Sequence, residues 1–290
     1  MRRRSRLHLG LSVIVCLATT AVFAQSEKIN LPAVPKPGQT VRLTMTQEMD
    51  IDISFDGATP PGPMKMKTTM TMTQKTGALR PDGSMDVDMT YDQVRAEVTM
   101  NGQAIPAGTE NPLAGKTVTV KYNRNGQIVD VMGLPEVAGM TADVFKQLMS
   151  SFTGNVPTEP IAVGEAFNTP LNVNLPLPLP GNAPIGFSGE TRTTLLSVDR
   201  DASGRSATLD EIVTGSMIAD VPSPDGKTDM KVDVTMSGSG TRVMDLDRGV
   251  LRSMTSTSVM RGRTTMGSAA PAQMRSMRLE ATTKVTITSN

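Results

Sequence analysis

From Leu43 to Phe55 the odd positions are apolar with one exception (Leu43, Met45, Gln47, Met49, Ile51, Ile53, Phe55), and every residue between them is polar (Thr44, Thr46, Glu48, Asp50, Asp52, Ser54). A helix would scatter these side chains around its axis, whereas a strand places alternate residues on opposite sides and so collects them into one apolar and one wetted face. The chain must therefore build a sheet with one face buried. The pattern returns as Met64, Met66, Met70, Met72 against Lys65, Lys67, Thr69, Thr71, and as Met85, Val87, Met89, Tyr91 against Asp86, Asp88, Thr90, Asp92. Near Gln93 it slips by one, so that Val94, Ala96, Val98 and Met100 take over, which is the signature of a β-bulge in a long strand.

Further strands are expected at Val118, Val120, Tyr122, at Met230, Val232, Val234, Met236, and at Met277, Leu279, Ala281, Val285, Ile287. Turn residues punctuate the chain at Pro81-Asp82-Gly83, Asn101-Gly102, Asn125-Gly126, Gly204, Pro224-Asp225-Gly226 and Arg248-Gly249. Connections this short join antiparallel neighbours, since parallel strands need long crossovers. One stretch has helical spacing: Thr141 as cap, Asp143 in the first turn, then Val144, Phe145, Leu148, Met149 and Phe152, with Gly154 as the stop. The alternate prolines of Leu175-Pro176-Leu177-Pro178-Leu179-Pro180-Gly181 remove ladder donors and predict a connector or an edge segment.

These elements make one β-rich domain over 25–290, with two similar halves (37–134 and 187–289) joined by a helix (141–153) and a Pro-rich connector (170–184). The expected class is mainly β, an antiparallel curved sheet or half-barrel with one short helix against its concave side. A β-sandwich is the alternative.

The first 24 residues read as a secretory signal: Arg2, Arg3, Arg4 and Arg6, an apolar run from about Leu9 to Phe23, and Ala24 before the cleavage point. A periplasmic or secreted protein follows, and lipidation at Cys16 is disfavoured because Val15 precedes it where a small residue is wanted. Cleavage after Ala24 removes His8 and Cys16, the only histidine and cysteine of the chain. Disulfides, Ser/His/Asp and Cys/His catalysis, and the usual zinc, haem and iron–sulfur sites are then excluded by composition. The 29 basic and 28 acidic residues nearly balance and no long basic run occurs, which argues against nucleic acid as a partner.

The 22 methionines, against two tyrosines, six phenylalanines and no tryptophan, are the main chemical signal. Thioethers bind Cu(I), but these lie where packing alone would place them, and methionine fills irregular cores well. The same flexible side chains can line an adaptable apolar pocket, which makes Met45, Met49, Met64, Met66, Met70, Met72, Met85 and Met89 the candidate ligand wall. The spacing of Asp199, Asp201, Ser203, Gly204 and Asp210 imitates a calcium loop, yet Ser206 takes the place of an apolar residue and the flanks alternate like strands, so a hairpin turn is the better reading. The pairs Asp50/Asp52 and Asp86/Asp88 fall on wetted faces, and Asp245/Asp247 completes the set. No phosphate loop or nucleophile elbow is present, so neither an enzyme site nor a cofactor nor a metal is expected.

The turn Lys121-Tyr122-Asn123-Arg124-Asn125-Gly126, the helix from Thr141, the step Ile161-Ala162-Val163-Gly164-Glu165-Ala166-Phe167 and the Thr-rich hairpin beyond it resemble an exported bacterial family, domain of unknown function 6263. That resemblance carries no functional residues with it. The layout also looks like the LolA and LolB type of periplasmic lipoprotein carrier, which implies a half-barrel with a helical lid that holds acyl chains. The expected function is a non-enzymatic binder of a hydrophobic ligand, a lipid or acyl chain, in the cell envelope; the alternative is a structural or protein-interaction module with a solid core.

Overall fold

The computed structural model describes residues 28–32, 34–56, 62–105, 112–135, 141–153, 156–157, 159–175, 185–222, 229–267 and 275–290. The first half contributes β1 (Thr40–Phe55), β2 (Met64–Thr76), β3 (Met85–Met100), β4 (Gln103–Ile105), β5 (Thr117–Tyr122) and β6 (Ile128–Met132). After α1 (Ala142–Thr153) come β7 (Ala166–Leu175), β8 (Ile185–Asp201), β9 (Gly204–Pro222), β10 (Asp229–Asp245), β11 (Val250–Met266) and β12 (Ser276–Ser289). The signal segment 1–24 and the turn Pro224-Asp225-Gly226 lie outside the described residues.

All twelve strands join one antiparallel, curved sheet in the order β6-β5-β3-β2-β1-β12-β11-β10-β9-β8-β7, with β4 on β3. The sheet stays open and does not close into a barrel, and the described residues form no second sheet, so the sandwich alternative is set aside. The first and last long strands meet in its middle, Leu43 opposite Ser289 and Phe55 opposite Met277. The expected phase slip is a bulge: Thr71 pairs with Gln93 but Met72 with Tyr91, leaving Asp92 as the extra residue. At Asn101-Gly102 both residues have positive φ, 54° and 75°, the conformation that a two-residue hairpin needs.

Glycines on the inner face let the second half curl. Phe187 packs over Gly215, and a Cβ on Gly238 or Gly240 would meet the Cβ of Ser258 or Ser256 at 2.9 or 2.7 Å. Only a bare backbone tolerates such approach in a strand.

The expected placement of the helix holds at one end of the sheet, and two other expectations need correcting. α1 sits beside β6 and β7, the two outermost strands, and lays Phe145 and Met149 on the apolar face of β3 and β5 at the end where the core is filled. Thr141 caps it, its Oγ1 accepting from Val144 N at 3.3 Å, and Phe145 is buried among Val118, Val120 and Val131. The stretch 170–175 is not connector but part of edge strand β7, where Pro170 lies opposite Glu190; an edge strand can lose one donor without breaking a ladder. The second run of strands accordingly starts at Ala166 and not at 187. Residues 176–184 of the Pro-rich stretch lie outside the described residues.

The core is concentrated at one end of the sheet, where the turns around Gly83, Gly126, Gly204 and Gly249 gather. One cluster contains Val87, Met89, Tyr91, Val118, Val120 and Tyr122; the other contains Leu195, Ala207 and Leu209 with Ile29, Leu31 and Ile161. Residues before β1 cross this end and tie it shut, through Ile29 paired with Ile161, Lys36 N to Arg248 O and Gly38 N to Thr76 O.

Candidate functional site

The eight predicted methionines divide between the two ends. Met85 and Met89, 2% and 4% exposed, are filled core at the closed end, and Met70 and Met72 are partly buried against the same cluster. Those four therefore pack the closed end. Met45 stands level with Met70, its cross-strand partner, and Met49, Met64 and Met66 lie further along; all four are half-buried on the concave face.

The register turns that face into rows running across the strands. One row is Met100, Met64, Ile51, Ala281, Met260, Met236, Gly215 and Gly189. Nearer the mouth runs Ile53, Leu279, Gly262, Val234 and Met217. At about 4.8 Å between strands, the eight-residue row follows an arc of roughly 30 Å. Sequence reasoning missed the part of this wall that comes from Met217, Met236 and Met260. The alternation of 230–236 signalled the strand, but only the register shows that it continues the wall begun by β1 and β2.

Toward the closed end the lining changes character. One row holds Met66, Met49, Thr283, Ser258, Gly238, Val213 and Thr191; the next holds Thr68, Gln47, Val285, Ser256, Gly240, Glu211 and Thr193. The row after that includes Arg242 beside Leu209 and Leu195, which belong to the core. Arg242 Nη2 contacts Glu211 Oε1 at 2.8 Å, and the two side chains are only 11% and 13% exposed. The trough thus has a charged pair for its floor, a hydroxyl-rich lower wall and an apolar upper wall.

The polar groups outside the trough serve the closed end. Asp245, 3% exposed, accepts from Asp247 N and Arg248 N through Oδ1 and pairs with Arg252 through Oδ2 at 3.2 Å. Asp201 closes the β8–β9 turn by accepting from Ser203 N and Oγ, and this bonding holds its carboxyl below the usual range. Asp210 lies up β9 opposite Thr194, while Asp199 faces Ser206, so the calcium-like spacing forms a hairpin and not a ligand ring. Burial pushes the Tyr122 hydroxyl up to about 12. Asp50 and Asp52 are exposed, whereas Asp86 is bound by Arg80 and Asp88 accepts from Thr119 Oγ1 at 2.7 Å. A groove of about 640 Å³ runs among Asp52, Asp233, Arg261, Arg263, Arg278 and Glu280, with Ile53, Gly262 and Leu279 also in its lining. No helix among the described residues is long and apolar enough to cross a membrane.

No family model matches the chain, and no curated protein does. Among solved structures, lipovitellin, studied for lipid–protein interactions, is similar at 12% identity and a TM-score of 0.42 over 87% of this chain; the match spans a quarter (25%) of the lipovitellin chain. The Pseudomonas aeruginosa protein OccK7 (OpdD) is similar at 7% identity and a TM-score of 0.21, covering 87% of this chain and 99% of its own. Likeness this distant lends the chain no function.

Proposed function

We propose that this protein is a non-enzymatic carrier or binder of a hydrophobic ligand, a lipid or acyl chain, exported to the cell envelope after cleavage behind Ala24. The observation that supports this reading is the upper wall of the trough. Ile51, Ile53, Met64, Met217, Met236, Met260 and Leu279 share one concave face and stay partly exposed, while the same alternation is fully buried at the closed end. An apolar chain laid along these rows leaves water at about 0.8 kcal/mol per methylene, and flexible thioethers adapt to it with little strain. The implied resemblance to lipoprotein carriers points the same way.

The test is titration of purified mature protein with the neutral dye N-phenyl-1-naphthylamine, together with native mass spectrometry of protein recovered from a periplasm. A saturable rise in fluorescence, lost in Met260→Glu, and a co-purifying lipid mass are expected. No dye site and no adduct would instead favour the solid-core interaction module.

A further inference from the structure

An ion pair sits awkwardly in a wall built to hold grease. Replacing a buried pair by apolar side chains of similar size is often neutral or stabilising, so packing alone gives little reason to keep Arg242 and Glu211 at the floor of the trough. Both side chains start from the concave face, because Glu211 shares the row of Gln47 and Ser256 and Arg242 shares that of Met45 and Met254; their small residual exposure therefore opens into the trough. Arg242 uses Nη2 on Glu211, while its buried Nε has no acceptor among the described residues. A buried donor left without an acceptor is unfavourable by about 1–3 kcal/mol. Just above stand Ser256, Ser258, Thr283 and Thr193, hydroxyls on the same face.

Resting on the reading that the trough holds an acyl ligand, we infer that its floor is a polar anchor for an uncharged hydrogen-bond acceptor, the carbonyl of an acyl ester or amide, with the hydrocarbon directed toward the mouth. Glu211 cancels the charge of Arg242, so the pair offers spare N–H donors without a net positive field. A free carboxylate gains those donors but is repelled by Glu211. An ester carbonyl gains them without that repulsion, and a plain hydrocarbon leaves them empty. On β11 and β12 the wall passes from Met260 and Leu279 near the mouth to Ser258, Thr283 and Ser256 above the ion pair, while methionine continues down β1 and β2, so the ligand lies with its polar end toward the pair and its hydrocarbon along the methionine side.

Three probes of matched chain length separate these cases: methyl palmitate, palmitate and hexadecane, each competing with N-phenyl-1-naphthylamine. The wild-type protein should bind methyl palmitate about tenfold more tightly than either of the others, the worth of one good hydrogen bond. Glu211→Gln, which uncovers the arginine charge, should reverse the order so that palmitate binds best. The double variant E211M/R242M keeps the volume of the pair and should bind all three alike, while circular dichroism and dye affinity confirm that it is folded. Equal wild-type affinities for ester and hydrocarbon, or a Glu211→Gln variant in which palmitate gains nothing, would overturn the inference while leaving the carrier reading in place. Failure of the dye to bind at all would instead bring down the carrier reading.

Discussion

The two ends of this sheet are made from the same strands and the same alternation, yet one is a filled core and the other is a lined trough. At the closed end Val87, Val118, Val120 and Leu195 are at most 1% exposed, because α1, the segment before β1 and four tight turns converge on them. At the open end the inward residues of β1, β2 and β9 to β12 are mostly half-exposed, as no described element packs over them. Period-2 patterning therefore specifies which face is inward, not whether that face is filled. What fills it is decided by elements far away in sequence.

Truncation should separate the two ends most clearly. Leu195→Ala removes fully buried volume and is expected to lose about 2–5 kcal/mol of stability, whereas Met66→Ala should lose about 1 kcal/mol or less and weaken apolar dye binding instead. Urea unfolding of both variants checks this, and similar losses would erase the distinction between core and trough. A second prediction concerns curvature. Gly189→Ala would place a Cβ 2.1 Å from Thr214 O, and because backbone must then move, a loss of about 1–3 kcal/mol in thermal or urea unfolding is expected.

Much of the fold could be read from residues alone. The strands, the bulge beside Gln93, the helix cap at Thr141 and the turns at Gly83, Gly102 and Gly126 are all local in cause, set by alternation or by backbone conformation. The strand order and the position of α1 between β6 and β7 are not, since they depend on which edges meet once β1 has paired with β12. The candidate site was legible only in part for the same reason. Met45, Met49, Met64 and Met66 share one hairpin and were visible together, but Met260 and Met236 join them through the β1–β12 seam, and the Arg242–Glu211 pair links the strand of Met236 to the next one, β9.

Alkaline pH offers a probe confined to the closed end. With its folded pKa raised to about 12 by burial, Tyr122 stays protonated in the native state where the unfolded chain, near 10, begins to lose its proton. Its contribution is thus fully present below about pH 10 and is lost as pH rises toward 12, roughly 2–3 kcal/mol in all. Tyr122→Phe should flatten that decline in urea unfolding while leaving dye binding at the open end unchanged. The smallest effect is expected from Asp201, exposed and held below the ordinary carboxylate range by Ser203. Its contribution is present above the unfolded pKa and lost as pH falls through the folded value, so Asp201→Asn should slightly reduce the acid sensitivity of the β8–β9 turn, read by amide exchange.

Methionine oxidation tests the central distinction most directly, because this chain carries thioether reporters at both ends. Brief peroxide treatment followed by peptide mass spectrometry should oxidise Met49, Met64 and Met66 at least about tenfold faster than Met85 and Met89, as access governs the reaction. Added methyl palmitate should slow the first group and leave the second unchanged. Equal rates at the two ends, with no protection by the ester, would contradict the account of a core at one end and a ligand trough at the other.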